Sequence, residues 1–227
     1  TILYDEDGNV TGLDGTVRRN FNGEQKSVLY NAGAFFFTDT KKMGKRSNFE
    51  RKERDFYRTP LSAVEVLIPH IRHIKNYVEP CAGDGALAEH LGRFGKYYAY
   101  LSDICPQDSP KPIHKMNVFD ITSCNAQAFI TNPPWDRRIL HPLILHLSNL
   151  APTYLLFDSD WAHTIQSEPY MSRCHTIISV GRCKWIEDSP HTGKDNCAWY
   201  HFERKEPEFT RFYGKKRVPK EDTPLLL

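Results

Sequence analysis

Residues 76–95 read NYVEPCAGDGALAEHLGRFG, and the order of residue types in this stretch decides the fold. "NYVEP" is a short apolar run closed by a proline, which cannot donate to a β-ladder, so it reads as a buried strand that stops at Glu79 and Pro80. "GDGALAEHLGRFG" then spaces Leu87 and Leu91 one helical turn apart, which predicts a helix with those leucines inward. Between strand and helix, Gly83 and Gly85 let the backbone turn tightly and approach a ligand closely. Strand, glycine loop and helix in immediate succession open an α/β sheet.

The pattern continues on the C-terminal side. "YYAYLSDI" and "AFITN" read as strands, "RILHPLILHLSNL" as a helix and "TYLLFDSD" as another strand, with Pro142 expected to delay the start of that helix or kink it. "HTIISVG" and "CAWYHFE" have the β-branched and aromatic content of strands, and the segment between them, "RCKWIEDSPHTGKDN", has no helical pattern. They are therefore expected to form an antiparallel hairpin at one edge. The fold class is α/β: a Rossmann-like, mostly parallel sheet with helices on both faces and an antiparallel edge hairpin.

In such a sheet ligands bind beyond the carboxyl ends of the strands, where the strand order reverses. Glu79 leaves the first strand there. The glycine loop is not the dinucleotide pattern: a third glycine is missing, and Glu79 and Asp84 would repel a pyrophosphate, so a cationic ligand fits better. Asp103 ends the second strand at the spacing of an acid that accepts hydrogen bonds from ribose hydroxyls, although taken alone it is equally a cap or turn residue. Asp120, in "NVFDIT", can accept from an adenine amino group, and alone it reads as a turn residue.

The fourth strand ends in "TNPPW", residues 131–135. Pro133 holds Asn132 in extended geometry, and the diproline makes a stiff elbow with a polar side chain at its lip. An exocyclic amine on a purine is a poor nucleophile because its lone pair is delocalised into the ring. Two acceptors on its two N–H bonds, the Asn132 side-chain oxygen and the Pro133 carbonyl, would localise that pair, with Pro134 fixing their direction and Trp135 stacking on the base; the competing reading is a strand-ending turn with a buried Trp. No base of unusual pKa is needed, since the proton can leave after transfer.

"VEPCAGDG" and "TNPPW" resemble the cofactor-binding and catalytic motifs of class I S-adenosylmethionine-dependent amino-methyltransferases of the DNA adenine-N6 type, with the cofactor loop ahead of the catalytic motif. "SNFERKERDFYRTP", "TNPPWDRRILHPLI" and "HTGKDNCAWYHF" resemble small methyltransferases of phages and prophage-bearing bacteria, over about Met43 to Glu203. The resemblance implies a class I methyltransferase sheet, S-adenosyl-L-methionine as cofactor and DNA as the partner. It places Tyr57, Thr59, Pro60, Glu79, Pro80, Ala82, Gly83, Gly85, Asp103, Ile104, Asp120 and Asn132 at the cofactor, and Asn132, Pro133, Pro134 and Trp135 at the chemistry. The same tetrapeptide type occurs in enzymes that methylate ribosomal RNA or protein glutamine amides, and a non-catalytic nucleic-acid-binding module is a further alternative.

Substrate contacts are expected from three places. Lys45, Arg46 and Arg51 lie in the basic run "MGKRSNFERKERDFYR", which is otherwise a solvated helix or arm. Trp161 and His163 follow the fifth strand, beside Asp158 and Asp160, where capping and core packing compete with a crevice role. His191 and Lys194 belong to the long polar loop of the hairpin, for which solvation is the competing reading.

The expected organisation is an N-terminal extension of unknown role (1–42), a basic arm and cofactor-adjacent segment (43–60), a catalytic domain (61–205) and a basic tail (206–227). Turn-rich residues up to about 40 read as a short hairpin arm or disorder, with "GAFFFTD" as an edge strand or plug. A chain of 227 residues holds one principal domain, and the net charge of +2 neither demands nor excludes a polyanion. No target-recognition domain of the usual size fits beside the catalytic core, so specificity is expected to be short or relaxed. Six cysteines without a CxxC pair and ten histidines without HExxH predict reduced thiols and no metal. With no long apolar run or basic-then-apolar leader, the expectation is a cytoplasmic monomer away from membranes.

Overall fold

The computed structural model describes residues 57–185 and 193–215, and the backbone of four short strands ahead of them. The chain divides into two compact units, Thr1–Asn48 and Phe49–Leu227. In the first, β1 (Leu3–Tyr4) pairs antiparallel with β2 (Val10–Gly12), and β3 (Tyr30–Asn31) with β4 (Ala34–Phe35). The start of "GAFFFTD" thus supplies β4.

The second unit carries α1 (Leu61–Leu67), β5 (Asn76–Glu79), α2 (Ala86–Arg93), β6 (Tyr97–Asp103), β7 (His114–Lys115), β8 (Phe129–Thr131), α3 (Arg137–Leu150), β9 (Thr153–Asp158), α4 (Glu168–Met171), β10 (Cys174–Arg182), β11 (Asn196–Phe202) and β12 (Arg211–Tyr213). Its strands form one sheet in the order β12-β10-β11-β9-β8-β5-β6-β7. All pairings are parallel except those of β11, which runs antiparallel to both β10 and β9. The α/β class and the antiparallel hairpin follow the sequence pattern. The hairpin is not the outermost element, because β12 pairs outside it with β10, so part of the stretch read as a tail is sheet.

Side chains alternate across the strands and define two cores. Tyr77, Ile130, Tyr154, Leu156 and Trp199 pack under α1 and α2, with Leu87 and Leu91 inward as the spacing requires. Val78, Phe129, Leu155, Phe157 and Tyr200 pack against Leu140, Leu143, Ile144 and Leu147 of α3. Each fully buried aliphatic side chain of that stripe contributes about 1.5–3 kcal/mol. The Trp199 indole N–H donates to the Ala63 carbonyl at 2.9 Å and ties α1 to the sheet.

α3 begins at Arg137, five residues before Pro142, and runs through it, so the proline does not delay the start of the helix. The Asp136 carboxylate caps the start by accepting from the Arg138 N–H at 3.0 Å, and the inward stripe holds the helix on the sheet across the proline. None of the helices among the described residues is long and apolar enough to cross a membrane.

Candidate active site

β5 lies between β6 and β8, so the chain order reverses around it. The carboxyl ends of these three strands carry Glu79, Asp103 and the step from Thr131 to Asn132. They meet at an open cleft of about 1340 Å³. Its wall includes nine of the residues placed at a cofactor by the sequence: Tyr57, Thr59, Glu79, Pro80, Ala82, Gly83, Asp103, Ile104 and Asn132. Pro60 and Gly85 do not line it; they are the residues that precede α1 and α2.

The glycine loop is shaped for this position. Gly83 and Gly85 have φ of 56° and 81°, a region costly for residues with a Cβ. The Gly83 N–H donates to Asp103 Oδ2 at 2.8 Å, and the Cys105 N–H donates to Oδ1 of the same carboxylate at 2.8 Å. Asp103 thereby joins the loop to the end of β6 and keeps further lone pairs at the cleft. Asp84 accepts from the Ala86 N–H and pairs with Arg58 at 2.7 Å.

Glu79 differs from its neighbours. It is 1% exposed, and its Oε2 has no hydrogen-bond partner. Burial, then the Asp103 and Asp84 carboxylates, holds its carboxyl well above the usual range. Burial likewise pushes the Cys81 thiol up, so it is an unionised wall residue and not a nucleophile.

The lining also has apolar members: Ile104, Phe119 and Ile139 are each more than a third exposed and line the same cleft. Asp120 does not join them. It ends the short 3-10 turn Val118–Asp120 and is exposed, outside the cleft wall. Asn117, three residues earlier, caps this turn by accepting from the Phe119 N–H at 3.1 Å and does line the cleft. Asn117, Val118 and Phe119 line the cleft and Asp120, the last residue of the turn, does not.

At the end of β8 the Asn132 amide has a defined pose. Its Nδ2 donates to the Tyr57 carbonyl at 3.3 Å and to Thr59 Oγ1 at 3.2 Å. Turning the amide over would set its oxygen against the Tyr57 carbonyl, which can only accept, so Oδ1 is the atom left facing the other way. Trp135 Nε1 approaches that oxygen at 3.4 Å while donating to the Leu156 carbonyl at 3.2 Å. Pro133 is buried and Pro134 lines the cleft. Asp136, absent from the sequence assignment, lines it as well.

Trp135 is half-buried, packs against both cores and does not line the cleft. A second indole, Trp185, meets it edge-to-face with centroids 5.6 Å apart, and Tyr57 lies 6.2 Å from Trp185. Trp185 has no sequence signal beyond being the single large aromatic of the polar hairpin segment. The bond from the Gly193 N–H to the Cys183 carbonyl, 2.7 Å, closes the base of that loop.

Other expected substrate contacts fall elsewhere. Trp161 is 1% exposed and belongs to the α3-side core, its indole N–H donating to His141 Nε2 at 2.9 Å, so it is a packing residue. Burial and Arg137 lower the His141 pKa, consistent with a neutral ring accepting that bond. His163 is exposed at the end of the turn Ser159–His163 and does not line the cleft; in that turn Asp158 serves as cap, accepting from the Asp160 N–H. Lys194 is exposed beside Gly193, also off the cleft wall. Lys45, Arg46, Arg51 and His191 lie outside the described residues.

Among solved structures, the chain is similar to a candidate RNA methyltransferase of Pyrococcus horikoshii, with a TM-score of 0.48 and 15% identity over 70% of this chain and 92% of that one. It is also similar to a candidate class I S-adenosylmethionine-dependent methyltransferase of Listeria monocytogenes (TM-score 0.44, 13% identity, 68% and 64% covered). A dimethyladenosine transferase of Plasmodium falciparum follows (TM-score 0.42, 12% identity, 65% and 62% covered). No protein-family model and no curated protein matches the sequence. With every TM-score under one half, the functional reading rests on the site's own geometry.

Proposed function

We propose that this protein is an S-adenosylmethionine-dependent methyltransferase acting on the exocyclic N6 amine of adenine in DNA. The observation that supports this reading is the pose of Asn132, a cleft residue whose Nδ2 is held by Tyr57 and Thr59 and whose Oδ1 remains an acceptor, approached by Trp135 Nε1 at 3.4 Å. The residues present fit the cofactor. Glu79 offers a buried, unpartnered carboxyl oxygen for a cationic group, Asp103 retains acceptor capacity for ribose hydroxyls, and Ile104, Phe119 and Ile139 suit the faces of a purine. Bound S-adenosylmethionine supplies an electrophilic methyl group on a positively charged sulfur.

The chain's part is to prepare the acceptor. Asn132 Oδ1 and the Pro133 carbonyl accept the two N–H bonds of the amine and localise its lone pair. The rigid diproline keeps both acceptors in place without reorganisation. Tyr57, which lines the cleft beside Asn132 and is backed by Trp185 and Trp135, is the aromatic face offered to an extruded base. The buried Cys81 thiol is no base, and the amine proton departs to solvent after transfer. The choice of adenine in DNA rests on the motif order and on the form of "TNPPW".

The test is methyl transfer from labelled S-adenosylmethionine to unmethylated duplex DNA, single-stranded RNA and a glutamine peptide, offered in parallel. Label in DNA alone is expected. Label confined to RNA or peptide would overturn the substrate, and cofactor binding without any transfer would point to a non-catalytic module.

A further inference from the structure

Three carboxyl groups meet at the glycine loop, and two of them are satisfied. Asp103 accepts from two backbone N–H groups, while Asp84 accepts from Ala86 and pairs with Arg58. Glu79 is the exception: it is 1% exposed, lines the cleft, and has an oxygen with no hydrogen-bond partner. A carboxylate placed there would be desolvated and flanked by two others, so the proton form is favoured until a positive group arrives.

We infer that Glu79 is a proton-linked gauge of ligand charge: it holds a proton in the empty cleft and gives it up when S-adenosylmethionine binds, so that the preference for this cofactor over demethylated S-adenosylhomocysteine grows with pH. The inference rests on the cofactor reading above. Both ligands carry an α-ammonium group, but only S-adenosylmethionine adds the sulfonium charge, which makes it the stronger stabiliser of the ionised carboxylate. The balance is simple: the Glu79 O–H bond breaks on binding, the electron pair stays on the carboxylate, and the proton leaves to solvent.

The groups that face Glu79 set the sign. Asp103 at the end of β6 and Asp84 in the loop oppose its ionisation, and burial opposes it most. The Ala88 N–H of α2 and Lys111, from the segment after β6, favour it more weakly. Tyr77 on the same strand and Cys81 just beyond it feel Glu79 and are themselves pushed up, so neither competes for the proton change near neutral pH. Asn132, from β8, carries no charge.

A ligand that selects the ionised form gains affinity as pH rises toward the empty-cleft pKa of Glu79, by up to about tenfold per pH unit, and levels off above it. Glu79→Gln keeps the shape and the uncharged state but has no proton to release. The experiment is isothermal titration of the intact protein with each ligand, between about pH 6 and pH 8, in two buffers of different ionisation enthalpy. The ligand's own α-amine also titrates near this range, so each ligand is compared between wild type and variant.

The expected result is that wild type releases more protons than Glu79→Gln on binding S-adenosylmethionine. The excess should be smaller for S-adenosylhomocysteine, and the affinity ratio of the two should rise with pH in wild type only. Binding with equal proton release in wild type and variant, or an equal excess for both ligands, would overturn the inference and leave the cofactor reading standing. Failure of wild type to bind either ligand would overturn both. A variant too unstable to titrate does not rescue the idea, because wild type alone must still show a pH-dependent affinity ratio.

Discussion

Replacing Asn132 by aspartate exchanges a hydrogen-bond donor for an acceptor with almost no change of shape, and so isolates the pose of one amide. In the native protein Nδ2 lies 3.3 Å from the Tyr57 carbonyl and 3.2 Å from Thr59 Oγ1. The Thr59 hydroxyl can turn and donate to the introduced carboxylate, but the Tyr57 carbonyl cannot. The cost of an unsatisfied and repelled partner is about 1–3 kcal/mol. For a domain of this size that is a melting-temperature loss of roughly 2–12 °C. Because only the ionised form is penalised, the folded-state pKa of the new carboxyl is raised above its unfolded value. The loss is therefore full at pH values above that raised pKa and shrinks as pH falls through it. Thermal unfolding followed by circular dichroism near pH 8 and near pH 5 measures both effects. A variant that melts within about 1 °C of wild type at both pH values, or that is worse at the lower one, would refute the assigned pose.

Asp103→Asn leaves one of the two N–H donors of Gly83 and Cys105 without an acceptor, so S-adenosylmethionine affinity measured by calorimetry should fall by about tenfold to a hundredfold. Gly85→Ala forces a Cβ into φ 81° and to 3.0 Å from Lys111 Cδ; a stability loss of about 1–2 kcal/mol in urea unfolding is expected. Lys96 is 7% exposed and donates to the carbonyls of Ile71, Arg72 and Ile74. Lys96→Met should therefore cost about 1–3 kcal/mol in the same assay while leaving cofactor affinity within about twofold of wild type.

The parts of the site that were legible in the sequence are those where one residue type has a single backbone consequence. Proline after Glu79 and after Asn132 marked two strand ends, and the glycines between Glu79 and Ala86 marked the loop. The nearly continuous apolar and aromatic runs in "TYLLFDSD" and "CAWYHFE" marked strands, and both of their faces are buried, one in each core. Errors arose where a side chain's direction depends on distant packing. Asp120 was read from its charge alone, whereas Asn117, which caps the same turn and has no such signal, is the one that lines the cleft. Trp161 lies just beyond a strand end that leads toward the site, yet its indole finds His141 in the core. α1 gave no clear signal because its seven residues are anchored by Trp199, far away in sequence. Trp185 is brought beside Trp135 only by the pairing of β10 with β11, which no local pattern specifies.

The most direct test of the central claim is mass spectrometry of nucleosides from unmethylated DNA after incubation with S-adenosylmethionine and either wild type or Asn132→Ala. The account predicts N6-methyladenine with wild type and at least about a hundredfold less with the variant, a loss that persists when S-adenosylmethionine is saturating because Asn132 acts on the substrate amine as well as lining the cofactor cleft. A methyl group on another base, or equal N6-methyladenine from both proteins, would contradict it.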